Sequence, residues 1–251
     1  MANIIAIANQ KGGIGKTTTA VNLAYDLKVL GKKVLLIDTD PQCNSTRNFR
    51  AEINGKATLY DLLFNSTSVF DCVQVTEYGD IIASDFLLIG ADEKFPPGGS
   101  RFHLLKKSIE PIKNNYDYII IDTPPSLGVL LQNVLTVTNF VIIPISCDAF
   151  ALQGLEQLRD TISETIEYLN PDLKIMGMLL IKYHDKFNIS KLVTPTLKEL
   201  NEKLFHVKIR ETIKLNESQI CNMPVLAYDG NSNASIDYLE LAKEIIEKEK
   251  E

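Results

Sequence analysis

The chain has 251 residues, 26 lysines and arginines against 32 aspartates and glutamates for a formal net charge of −6, and 45% hydrophobic residues. This composition excludes a disordered or fibrous chain, and the lack of any apolar run near ~18 residues excludes a membrane-spanning helix. Taken as a whole-chain average, the acidic balance argues against a nucleic-acid protein, because such proteins usually carry a net positive footprint.

The opening residues Met1-Ala2-Asn3-Ile4-Ile5 lack the cationic region and apolar run of a secretory leader and lead straight into a predicted strand, Asn3–Ala8. A helix follows over Thr18–Leu30, where Ala20, Leu23, Ala24, Leu27 and Leu30 share one stripe and Gly31 supplies the stop. Further strands are predicted at Lys33–Asp38, Asp80–Ser84, Tyr118–Asp122, Phe140–Ile145, Lys174–Ile181 and Phe205–Ile209. Amphipathic helices are predicted at Ser190–Leu204 and Ser235–Lys248, the second with Ile236, Leu239, Ala242 and Ile246 on one face. Several strands are continuous Ile, Val and Leu, as strands covered on both faces should be. The alternation predicts an α/β fold over residues 1–251: a single domain with a mostly parallel twisted β-sheet and helices on both faces. Between strands, Ala91–Ser100 with its Pro96-Pro97-Gly98-Gly99 reads as the most flexible loop. Cys43, Cys72, Cys147 and Cys221 show no CxxC spacing and read as reduced thiols of a cytoplasmic protein; His103, His184 and His206 show no ligand spacing, so no structural metal is expected.

Directly after the first strand stands Gln10-Lys11-Gly12-Gly13-Ile14-Gly15-Lys16-Thr17-Thr18. A glycine-rich strand-to-helix turn aims successive backbone N–H groups at one concavity, and the helix behind it adds the positive end of its dipole, so phosphate is favoured there. Lys16 is placed to reach β- and γ-phosphate oxygens, and the Thr17 hydroxyl is the expected Mg²⁺ ligand. The strict pattern G-x-x-x-x-G-K-[ST] fails at its first position, which is Gln10, and a second lysine, Lys11, follows it. Two acids, Asp38 and Asp40, end the second strand two residues apart and are expected to look toward one site. Asp122 ends the strand Tyr118–Asp122 at its carboxyl end, where ligands bind in parallel sheets. Mg²⁺ takes oxygen ligands and keeps several waters, so carboxylates at this end suit it; Thr17, Asp40 and Asp122 form the expected metal set.

Lys11-Gly12-Gly13-Ile14-Gly15-Lys16-Thr17-Thr18 resembles the deviant Walker A box of the ParA/MinD ATPases. Asp38-Thr39-Asp40-Pro41-Gln42 and Ile121-Asp122-Thr123-Pro124-Pro125-Ser126 resemble that family's second and third nucleotide motifs. Ala149-Phe150-Ala151-Leu152-Gln153-Gly154-Leu155 and Tyr238-Leu239-Glu240-Leu241-Ala242-Lys243-Glu244 look like its ParA/Soj partition branch. The resemblance, which runs nearly end to end, implies a P-loop ATPase using ATP and Mg²⁺ that closes into a homodimer over the nucleotide. It implies that Lys11 crosses to the other subunit's phosphates and that Asp40 positions the attacking water. Asp122 would hold a Mg²⁺-linked water, and Thr123–Ser126 would sense the γ-phosphate. Gly12, Gly13, Ile14, Gly15, Lys16, Thr17 and Thr18 would cradle the nucleotide, with the base near Lys182 and Ile209–Glu211 and Arg210 among its contacts.

Within the family, the acidic end Glu244–Glu251 differs from the basic amphipathic helix of MinD-type relatives, so no membrane partner is expected. Neither Cys72 nor Cys147 sits in a cluster-ligating context like that of nitrogenase iron proteins. The chain enters its first strand at Asn3, which gives no support for an N-terminal helix-turn-helix. Residues 182–214 hold eight basic side chains against four acidic ones, a local excess of +4 inside a chain of −6. The resemblance places nonspecific DNA binding in this region, with Lys186, Arg210 and Lys214 as candidates, through phosphate contacts alone. It further implies a ParB-type centromere-binding partner, a role in plasmid or chromosome segregation, and nucleoid association when ATP-bound. Hydrolysis is expected to be slow, since no arginine stands beside the motifs as a finger; Arg47 and Arg50 are the nearest. A ParA-like ATPase that positions a protein cargo shares every motif, and a non-hydrolysing nucleotide switch is the other alternative, against which Asp40 argues.

Overall fold

A computed structural model describes residues 2–146, 154–183 and 203–248. Among them one seven-stranded sheet is formed by β1 (Asn3–Ile7), β2 (Val34–Asp38), β3 (Val73–Val75), β4 (Asp80–Ile82), β5 (Tyr118–Asp122), β6 (Phe140–Ser146) and β7 (Lys174–Ile181), in the order β3-β4-β2-β5-β1-β6-β7. Every pairing is parallel except that of β3 with β4. The α/β class and mostly parallel sheet are as the sequence predicts.

The helices are α1 (Lys16–Val29), α2 (Asn44–Asn48), α3 (Leu59–Phe64), α4 (Val69–Cys72), α5 (Leu104–Ile109), α6 (Val129–Val137), α7 (Leu155–Tyr168), α8 (Ile213–Ile220), α9 (Val225–Tyr228) and α10 (Asn233–Lys248). The apolar runs make both sheet faces sticky, and strand parity sorts the contacts. Ile5, Leu36 and Ile120 align in register and pack with Leu23 and Leu27 of α1 and Leu241 of α10. Their neighbours Ile4, Leu35 and Ile119 pack on the other face with Leu62, Leu105 and Val134 of α3, α5 and α6. No described helix is long and apolar enough to cross a membrane.

Three expectations change. Phe205–Ile209 is not a strand of the sheet: it runs along the free edge of β7 through Phe205 N–H to Met178 O (3.0 Å) and Ile209 N–H to Leu180 O (2.8 Å). It bridges only at Met178–Leu204 and Tyr183–Arg210, and it uses one residue more than its neighbour between those points, so no continuous ladder forms. The short hairpin strand β3 went unpredicted because three residues carry no periodic signal. The Ala91–Ser100 loop holds a 3-10 turn at Ala91–Glu93 and begins another at Gly99, and Asp92 Oδ1 accepts the Leu130 N–H at 3.0 Å, fastening the loop to the first turn of α6. The predicted helix Ser190–Leu204 and the stretch Ala149–Gly154 lie almost wholly outside the described residues, as do Cys147, His184, Lys186 and the last three residues.

Candidate nucleotide site

The connection after β1 runs through α1 toward β2, while that after β5 runs through α6 to β6 on the opposite side, so the topological switch falls at the β1/β5 pair. The glycine-rich turn sits on that switch. Gly15 caps α1 with φ of 82°, a left-handed conformation, and a Cβ there would come within 2.7 Å of Ile181 Cδ1; only glycine meets both conditions. Ile14 is buried and anchors the turn, leaving Gly12 and Gly13 exposed. At the first glycine position of the strict motif, Gln10 packs instead against Gly154, where a Cβ would lie 2.7 Å from Gln10 Oε1.

Lys16 is 6% exposed, and its Nζ donates to the Lys11 carbonyl at 3.2 Å. Burial pulls its ammonium pKa below the ordinary lysine value, opposed by the charges of Asp122 and Asp40. Parity explains the first of these neighbours: Asp38, Asp122 and Ile7 align in register, on the same sheet face as Leu36, Ile120 and Ile5, which is the face α1 covers. Asp122 Oδ2 accepts the Ser45 hydroxyl at 2.7 Å, and the Thr17 hydroxyl also acts on this carboxylate. Its Oδ1 is buried with no hydrogen-bond partner. Burial raises the pKa of Asp122, and burial beside Asp122 raises that of Asp38. A buried carboxylate oxygen without a donor, next to a threonine hydroxyl, is a hard-oxygen set that suits Mg²⁺ or a water on it.

Asp38 and Asp40 do not share one site. The strand ends at Asp38, so alternation stops there. Asp38 turns inward and accepts from the Thr46 N–H and hydroxyl (both 2.8 Å) and from the Asp40 N–H (3.0 Å), which fixes the first turn of α2. Asp40 alone of the two lines the open cavity; its Oδ1 accepts the Gln42 N–H at 2.9 Å and its carbonyl accepts the Ser84 hydroxyl at 2.7 Å.

The cavity holds about 560 Å³ and is lined by the Gly12–Thr18 turn, Asp40, Pro125, Lys182 and Ile209–Thr212. That volume is in the range of small-molecule and cofactor sites. Another wall is α8, tied down by a hydrogen bond from Gln219 to the Thr18 hydroxyl, and the α9 that follows is held to α1 by the Val225 N–H to Asn22 Oδ1 at 2.7 Å. Lys182, with a left-handed φ of 51°, donates to the Gly13 carbonyl at 3.3 Å. The α8 wall was not legible beforehand, because its residues reach the site from some 200 positions downstream of the turn.

Two cations expected on a DNA surface are engaged within the chain. Arg210 lines the cavity, but Asp237 holds it: Nη2 at 2.6 Å and Nε at 3.1 Å from Oδ1, with the backbone N–H at 2.9 Å from Oδ2. Lys214 pairs with Glu217 at 2.9 Å, and that contact raises its pKa. Lys11 does not line the cavity; its N–H donates to Asn9 Oδ1 at 3.0 Å.

An AAA domain model matches residues 2–175. The chain is 41% identical over 249 residues to the sporulation initiation inhibitor protein Soj of Bacillus subtilis (strain 168), covering 98% of each. Among solved structures, a putative plasmid partition protein from Borrelia burgdorferi bound to AMPPNP matches with a TM-score of 0.84 and 28% identity, covering 99% of this chain and 100% of that one. The cobyrinic acid a,c-diamide synthase from Mycobacterium smegmatis with bound ADP and magnesium matches with a TM-score of 0.88 and 29% identity, covering 100% of this chain and 96% of that one. The turn with its buried lysine, the carboxylates at the switch point and these full-length likenesses agree, and the chain belongs to the Soj/ParA family of AAA-domain P-loop ATPases.

Proposed function

We propose that this chain is an ATP- and Mg²⁺-dependent partition ATPase whose ATP-bound homodimer grips nonspecific DNA and hydrolyses ATP slowly until a ParB-type partner stimulates it. The observation that carries the reading is the buried Lys16 set between the glycine turn and two carboxylates, Asp122 and Asp40, in a chain aligned end to end with Soj. In this reading the Gly12–Thr18 backbone and Lys16 hold the phosphates, and Thr17 with Asp122 holds the metal and its water. Asp40, facing the cavity, positions the attacking water. Lys11, outside its own cavity, reaches the partner subunit's phosphates, where a cation stabilises charge on the transferring group. An ATP turnover assay with and without duplex DNA and the partner protein tests the whole; no phosphate release under any condition would leave a nucleotide switch instead.

Asp40→Ala is expected to bind ATP and accumulate as dimer, because it removes the water-positioning carboxylate and leaves the phosphate cradle intact. Light scattering with ATP checks this; a variant that hydrolyses at the wild-type rate or stays monomeric refutes the role of Asp40.

DNA binding in this reading uses phosphate contacts from residues 182–214 and so falls steeply with salt. Arg210 is a poor probe of it, since its removal would also strip Asp237 of its partner. Neutralising Lys186 and Lys214 to glutamine is therefore expected to weaken ATP-dependent DNA binding uniformly across sequences and to flatten the salt dependence. Unchanged binding at low ionic strength would remove these two residues from the surface.

A further inference from the structure

Four cationic side chains line the cavity among the described residues: Lys16, Arg47, Lys182 and Arg210. Three have evident duties. Lys16 belongs to the turn, Lys182 donates to Gly13 and Arg210 is held by Asp237. Arg47 differs. It is exposed on α2, and its one side-chain hydrogen bond among the described residues is from Nη1 to Asn44 Oδ1, at 3.3 Å. Among the described residues no carboxylate pairs with it, whereas Arg50, one turn further on, is engaged by Glu77 at 2.6 Å and by the carbonyls of Cys221 and Asn222.

The helix that carries Arg47 is also unusually well fixed. Its buried side is fastened through Ser45 to Asp122 and through Thr46 to Asp38, while Asn44 and Arg47 remain exposed on the cavity wall. The place of its helix in the fold decides which part of a nucleotide Arg47 would meet. Asp40, Gln42, Asn44 and Arg47 all line the cavity, and Ser45 of the same helix donates to the metal-suited Asp122 at 2.7 Å. A triphosphate lying along the turn points its terminal phosphate toward the carboxylates.

We propose that Arg47 pairs with the terminal phosphate of bound ATP from within the same subunit and so makes this site prefer triphosphate over diphosphate. The inference rests on the nucleotide reading above. A guanidinium fork suits this task, since it gives two parallel donors to phosphate oxygens where a lysine gives a point charge. An interaction made with the ground-state triphosphate lowers KM without speeding the chemical step, so it is compatible with slow turnover.

The test is the affinity of the full chain for AMPPNP and for ADP, each with excess Mg²⁺, in wild type, Arg47→Ala and Arg47→Lys. Arg47→Ala is expected to weaken AMPPNP about tenfold, equivalent to about 1.4 kcal/mol, and to change ADP less than about twofold, with Arg47→Lys between. The KM for ATP should rise in step. Equal losses for both nucleotides, or none, overturn the proposal. Wild type binding neither nucleotide would instead overturn the nucleotide reading itself. Because Arg47 is exposed, a thermal melt of Arg47→Ala should overlay that of wild type, which separates loss of the phosphate contact from loss of fold.

Discussion

Lys16→Ala is expected to abolish nucleotide binding, with an affinity loss of about a hundredfold or more. The magnitude follows from what the side chain replaces: hydrogen bonds from a charged donor contribute about 1.5–3 kcal/mol each, and a lysine of this kind serves more than one phosphate oxygen. The setting strengthens it. Lys16 is 6% exposed, so its charge acts in a medium less screening than water. It also stands between Asp122 and Asp40, whose like charges would repel incoming phosphate without a cation beside them. Titration calorimetry with ADP and Mg²⁺ avoids turnover and checks the result directly. A dissociation constant within threefold of wild type would remove Lys16 from the phosphate cradle.

The fold was legible wherever apolar runs met clear punctuation. β5 reads as Tyr-Ile-Ile-Ile-Asp between polar segments, and the chain forms that strand over the same five residues. Phe205–Ile209 shows the limit of that signal, because local apolarity does not count the residues of the neighbouring strand. Site residues close to the turn were legible for the same local reason. The division of labour between Asp38 and Asp40 was not, since it depends on where β2 stops and on Thr46, eight residues beyond Asp38, offering two donors. Arg210 looked available because its partner lies 27 positions later, on α10. Basic residues counted along a sequence measure charge; whether each guanidinium or ammonium faces solvent is settled by partners that only folding brings near.

Asp26 is the largest such surprise, and replacing it by asparagine is expected to stabilise the protein at neutral pH. A polar residue on an amphipathic helix normally faces water, but α1 lies between the sheet and α9–α10 and is buried along most of its length, with only Lys28 and Val29 of its last turn exposed. Thr19, Asn22 and Asp26 fall on neighbouring turns. Thr19 meets the Tyr238 hydroxyl at 3.3 Å and Asn22 accepts the Val225 N–H at 2.7 Å. Asp26 is fully buried, and neither carboxylate oxygen has a partner. Burial accordingly pushes its pKa up to about 8; burial also raises those of Tyr25 and Tyr238, with the Asp26 charge adding to both. With the folded pKa above the unfolded one, the native state holds the proton more tightly, so stability declines as pH rises from about 4 toward 8 and levels off beyond. At pH 7 the loss is on the order of 4 kcal/mol as an upper bound, since relaxation of the helix would reduce it. Asp26→Asn removes the titration while keeping a similar shape. Its melting temperature should therefore match wild type near pH 4 and exceed it at pH 7 by on the order of 10 °C. Melts across that range decide it: a constant offset between the two proteins would mean that Asp26 does not carry the proton, and a less stable variant at pH 7 would mean that the carboxylate is satisfied by a partner after all.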